Sequence, residues 1–222
     1  MVEWKRLWNR IRRFKVNTMN YDVFLQICAV LLVLVHLVLM FVLWLGGVTF
    51  LWRLNIVSIV TYVVAFYFAG KKRVRLVYYM FVIEILSYSF VSVYLIGEET
   101  QFGLYCLAVM PFTYLTSYVL DCQNGGRGGF RPTINFLVLC VFYFVELTMG
   151  SLLEPRYVIE DISIVNFLRV LNMLINIMCV LFGCRVLTMV AVENTLVIKR
   201  NMEEMERLMH RAEASSEAKS TF

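Results

Sequence analysis

Apolar residues fall in long blocks separated by short polar breaks, at 21–45, 50–69, 76–96, 102–120, 133–150 and 162–184. About 18 apolar residues suffice to carry a helix across the ~30 Å hydrocarbon core of a bilayer. The pattern predicts six transmembrane helices in an all-α, polytopic membrane protein. Pro111 falls inside the fourth block, where it removes one backbone hydrogen bond and is expected to kink the helix.

The polar breaks set the orientation. Lys5, Arg6, Arg10, Arg12, Arg13 and Lys15 precede the first block. Lys71, Lys72, Arg73 and Arg75 follow the second block, and Arg127 and Arg131 follow the fourth. The intervening breaks hold Gly46 to Thr49, then Glu98 and Glu99, then Glu154, Arg156, Glu160 and Asp161. Twelve basic residues thus lie on one side against one on the other. Lys and Arg are retained in the cytoplasm, which predicts that both termini lie inside.

Composition agrees. Sixty per cent of the 222 residues are hydrophobic and 17% charged, whereas soluble domains hold about 45–50% apolar residues. The net charge of +5 sits beside the apolar blocks, as topology-setting residues do, and is no sign of nucleic-acid binding. Of the six cysteines, all but Cys122 fall within apolar blocks and none forms a C-x-x-C pair. They read as small apolar residues rather than disulfides or metal ligands. The first block exceeds the ~7–15 residues of a signal-peptide core and is expected to remain as the first span.

Residues 1–20 read as a basic amphipathic segment. Trp4, Leu7, Trp8, Ile11 and Phe14 recur at helical spacing with basic residues between them, which suits the headgroup zone of the inner leaflet. The run Gly125-Gly126-Arg127-Gly128-Gly129 lacks the Lys-Ser/Thr ending of a phosphate-binding loop and reads as an inner loop.

Polar residues inside apolar blocks cost at least ~2.5–3.5 kcal/mol when charged, so their placement is informative. Asn166, Arg169, Asn172 and Asn176 share an arc of about 120° at 100° per residue. That face is expected to point into the bundle. Arg169 is expected to pair with Glu146 at matching depth, with Asn135 on the same face as Glu146. Glu84 would then bond the asparagines of the last helix or be protonated. Asn55, Ser58 and Tyr62 share a face of the second span, and His36 reads as a hydrogen-bonded packing residue rather than a metal ligand. Two roles fit the polar cluster: interhelical glue, or an outward-opening pocket for a small polar or charged ligand. Trp44, Trp52, Tyr94 and Tyr157 read as interfacial anchors. No nucleophile–base pair, metal motif or nucleotide loop is recognisable, so neither a cofactor nor a catalytic residue is expected.

Beyond Arg185 the apolar pattern narrows without a break. Ile198, Met202, Met205, Met209, Ala212 and Ser216 follow a heptad rhythm, the seam of a parallel coiled coil. Residues 185–222 are therefore expected to form a cytoplasmic linker helix in a parallel homodimer.

The terminal stretch Ala212-Glu213-Ala214-Ser215-Ser216-Glu217-Ala218-Lys219-Ser220-Thr221-Phe222 resembles the run-in to the phosphoacceptor helix of bacterial sensor histidine kinases. There an Ala-Lys-Ser-x-Phe segment leads into the box bearing the phosphorylated histidine. His210, followed by Arg211 and Ala212, does not match that box. The stretches 79–86 and 95–105 are similar, more loosely, to six-helix input regions ahead of kinase or diguanylate cyclase domains. The resemblance implies a sensor in the bacterial plasma membrane, responding to a small ligand or membrane stimulus. It would act through a kinase domain outside this sequence on a response regulator. A cyclase output, or a self-contained transporter or channel, are the alternatives.

Overall fold

The computed structural model describes residues 21–123 and 131–220. Six long helices run through them: α1 (Tyr21–Leu45), α2 (Thr49–Gly70), α3 (Val74–Ile96), α4 (Tyr105–Gln123), α5 (Pro132–Leu152) and α6 (Ile162–Ser220). Two short 3₁₀ turns, Glu98–Thr100 and Phe102–Leu104, join α3 to α4. The chain is an all-α, multi-pass membrane protein.

The helices begin and end where local chemistry requires. Gly46 and Gly47 close α1 onto α2 in a tight helical hairpin, with Gly47 at φ +71° and the Val48 amide donating to the Leu43 carbonyl at 3.0 Å. A left-handed backbone costs glycine least. Gly97 ends α3 at φ +82°. Pro132 occupies the first turn of α5, where a missing amide hydrogen loses no helical bond. The fourth span begins at Phe102, as its apolar block implies, though not at once as α-helix. Gln101 takes a left-handed φ of 62°, and residues 102–104 coil into a 3₁₀ turn before α4 begins. Helix α4 then runs through Pro111.

The bundle is dressed for lipid. Val, Leu, Ile and Phe dominate its outer face, and only 11% of the apolar window of α5 is buried within the protein. In lipid no hydrophobic force draws helices together, so close packing and interhelical hydrogen bonds must hold them. Two apolar clusters supply the packing. One, around Tyr21, Phe24, Ala65, Val77, Leu115 and Val186, lies toward the end bearing the basic 71–73 turn. The other, around Leu39, Leu51, Val93, Phe102 and Leu168, lies toward the end bearing Glu98 and Glu99. We call these the basic and acidic ends. Small residues allow close approach, most tightly where Gly183 of α6 meets Pro111 of α4.

Helix α6 is continuous for 59 residues, about 88 Å at 1.5 Å per residue. It is unbroken at Arg185 and leaves the bundle beyond Val190. Within its outer portion Ile198, Met202, Met205 and Met209 are all exposed. The side chain of Ala212, residues 1–20 and the glycine-rich run lie outside those described.

Candidate functional site: buried polar groups between two apolar clusters

Besides the buried hydroxyl pairs Tyr21–Thr116 and Tyr78–Thr113, three groups of polar side chains interrupt the apolar interior of the described residues. The first joins α1, α2 and α3. His36 Nδ1 stands 2.7 Å from Asn55 Oδ1. The Asn55 amide donates to the Leu51 carbonyl at 2.8 Å and to the Tyr88 hydroxyl at 2.9 Å. Its nitrogen is thereby committed, so Oδ1 must accept, and His36 Nδ1 carries the hydrogen. The other ring nitrogen of His36 faces Glu84 Oε1 at 3.6 Å. Tyr62 donates its hydroxyl hydrogen to Glu84 Oε2. His36, Asn55, Tyr62 and Tyr88 are all buried, and the Glu84 side chain is 9% exposed. Tyr62 and Tyr88 pack their rings against the imidazole at 5.3 and 4.9 Å between centroids.

The second group ties α6 to the α3–α4 connection. Asn172 donates to the Thr100 carbonyl at 2.7 Å and accepts from the Tyr105 hydroxyl at 2.8 Å. Arg169 Nε donates to the Glu99 carbonyl at 2.8 Å, and its guanidinium lies 3.6 Å from the Glu99 carboxylate. Thr100 in turn donates to the Gly97 carbonyl at 3.0 Å. The polar stripe of α6 is thus matched by main-chain carbonyls of the 97–104 turn. Asn176, one helical turn below Asn172, is buried, and its Oδ1 has no hydrogen-bond partner among the described residues. Rings connect the first two groups: Tyr88 packs on Phe102 at 5.7 Å and Phe102 on Tyr105 at 6.1 Å.

The third group centres on Glu146 of α5, which is 1% exposed. The Cys106 thiol donates to its Oε2 at 2.9 Å, while Oε1 has no hydrogen-bond partner among the described residues. Ser89 commits its hydroxyl hydrogen to the Phe102 carbonyl at 2.9 Å. A pocket of about 50 Å³ adjoins Glu146, lined also by Glu98, Gln101, Gly103, Tyr143 and Leu147.

Several sequence expectations change. Arg169 does not pair with Glu146. It turns instead to Glu99 and remains part-exposed, because the acidic turn comes within reach at the rim. Glu84 meets His36 and Tyr62 rather than the asparagines of α6, since α2 and not α6 packs along that face of α3. Asn166 is exposed, one turn from the start of α6, so the buried stripe consists of Asn172 and Asn176 with Arg169 at its edge. Asn135 lies eleven residues before Glu146, about 16 Å away along α5, and joins none of the three groups. His36 is hydrogen-bonded, as its isolated position implied.

No protein-family model matches the chain, and comparison with curated proteins and with solved structures finds no similar protein.

Proposed function

We propose that this chain is the membrane sensor module of a bacterial sensor histidine kinase. It sits in the plasma membrane with its basic end in the cytoplasm and passes a stimulus through α6 to a kinase domain outside these 222 residues. The observation that carries the reading is the continuity of α6. One unbroken helix bears Arg169 and Asn172, which grip the acidic turn, and the exposed row Ile198, Met202, Met205 and Met209. A change at the turn that alters either grip has a rigid route out of the bilayer. The methionine-rich row supplies a seam through which two copies pair in parallel, and a weak seam of this kind is easily re-registered. The likeness of 212–222 to the run-in of a phosphoacceptor helix supports a kinase output, which would hand its phosphoryl group to a response regulator.

A ligand drives such a module only by binding one arrangement better than the other. The gene beyond Phe222 tests the output: a His-Glu-x-x-x-x-Pro box within the next few codons is expected. An Asp-x-Leu-Thr-x-Leu-x-Asn-Arg stretch in its place would assign the output to a cyclase and reject the kinase.

A further inference from the structure

The pocket beside Glu146 holds a buried carboxylate that the helix grip leaves unused. We propose that it is a binding site for a small primary ammonium group, held between the carboxylates of Glu146 and Glu98. The proposal deepens the sensor reading, and rests on it, by naming the chemistry of the stimulus.

Four observations converge. Glu146 is almost wholly enclosed, yet its Oε1 has no hydrogen-bond partner, and it makes no ion pair among the described residues. A buried carboxylate without a counter-charge is costly, and a cation arriving at that oxygen would remove the cost. Glu98 lines the same pocket. Its position is set by Gly150, where a Cβ would come within 3.0 Å of both Glu98 Cβ and Val93 Cγ1. The nearby arginines are engaged elsewhere: Arg169 on Glu99, and Arg156 over the Tyr94 ring at 5.4 Å. Neither fills the pocket.

Size and lining select the ligand class. The pocket's roughly 50 Å³ exceeds the ~10–15 Å³ that admits one water, and accommodates an ammonium with a carbon or two. An ammonium offers N–H donors to carboxylate oxygens in charge-assisted bonds. Its carbon would rest on Val93, Leu104 and Leu147, and its charge beside the Tyr143 ring. A metal ion fits poorly, for among the described residues no three His, Cys, Asp or Glu side chains stand close enough to hold one. Gly103 also borders the carboxylate: a Cβ there would sit in ordinary contact with Glu146 Oε2 at 3.7 Å and the Tyr143 ring at 4.0 Å.

The test uses the full 222-residue chain in lipid nanodiscs, titrated with methylammonium and ethylammonium by calorimetry at low salt. Saturable binding is expected, weakened at least tenfold by Glu146→Gln and by Glu98→Gln. The second variant lies at the half-buried rim and guards against misfolding of the first. Tetramethylammonium, which has no N–H donor, is expected neither to bind nor to compete. Absence of saturable binding by the wild-type chain, or binding unchanged in both variants, overturns the proposal. So does Mg²⁺ or Ca²⁺ binding that depends on the same carboxylates while the amines fail. Because binding is read without any output domain, a gene lacking the kinase box would reject the kinase while leaving the pocket standing.

Discussion

Asn172 of α6 donates its amide hydrogen to the main-chain carbonyl of Thr100 at 2.7 Å. A side chain on the longest helix is thus fastened to a turn at the acidic end of the bundle, and its other amide atom accepts from Tyr105. Replacing Asn172 by leucine leaves the buried Thr100 carbonyl and the part-buried Tyr105 hydroxyl without that partner, at up to about 1–3 kcal/mol each. We expect Asn172→Leu to lower the thermal midpoint of the chain in detergent, and to shift the basal output of the full-length protein. An unchanged midpoint would show that the turn is held by other contacts.

Arg169 and Glu99 form a part-exposed pair at the rim. Exposed pairs contribute about 0–1 kcal/mol, so Arg169→Ala and Glu99→Ala should each leave stability nearly unchanged. The guanidinium also holds the Glu99 carbonyl. Arg169→Ala is therefore expected to alter signal response more than Glu99→Ala does. Equal effects of the two variants on a response assay would confine the role of Arg169 to its carboxylate contact.

His36 Nε2 and Glu84 Oε1 face each other at 3.6 Å inside the bundle. Removing one partner of a buried charged pair costs roughly 3–5 kcal/mol where the survivor stays charged. His36→Phe and Glu84→Gln should each destabilise the chain, and the double variant should lose less than the two losses added together. A double-mutant cycle on unfolding in mixed micelles measures this. Strict additivity would mean that the 3.6 Å approach carries no coupling.

Gly183 and Pro111 set the closest approach of α4 and α6. A Cβ at position 183 would lie 2.6 Å from Pro111 Cβ, a distance that forces one helix to move. Overpacking of this kind costs about 1–3 kcal/mol. Gly183→Ala is expected to destabilise the bundle by that order, and more than Gly46→Ala, whose nearest neighbour would be an isoleucine methyl at 3.4 Å. The comparison of their thermal midpoints checks it.

Single cysteines placed at Met202, Met205 and Met209 should cross-link between copies of the full-length protein. Neighbouring positions off the seam, such as Glu203 and Glu206, should cross-link weakly. A flat profile along 198–209 would dismiss the paired helix.

The spans were legible because each needs only length and apolarity. The predicted blocks 21–45, 50–69, 76–96 and 133–150 fall within a few residues of α1, α2, α3 and α5. The 3₁₀ opening of the fourth span was not legible, because the left-handed Gln101 follows from the packing of a turn and not from residue type. Depth along a helix could be read for Glu84, Glu146 and Arg169. The direction around the bundle could not, and direction decides partners. Arg169 therefore found Glu99, and Glu84 found His36 and Tyr62. The main-chain acceptors at Glu99 and Thr100 leave no trace in a list of side chains. Asn172 and Asn176 were recognisable as buried from their spacing, whereas Asn166 sits too near the helix start to be enclosed.

The spacing of the asparagines on α6 would let a one-turn shift of the helix exchange one asparagine for the other. Asn172 and Asn176 are four residues apart, close to one helical turn of 5.4 Å. A slide of α6 by that step toward the acidic end would carry Asn176 to the level of the Thr100 carbonyl and draw the far end of the helix toward the bundle by the same step. Intermediate positions would strand that carbonyl between two donors. The helix would therefore move as a ratchet with discrete notches, the kind of one-turn jump by which packed elements switch.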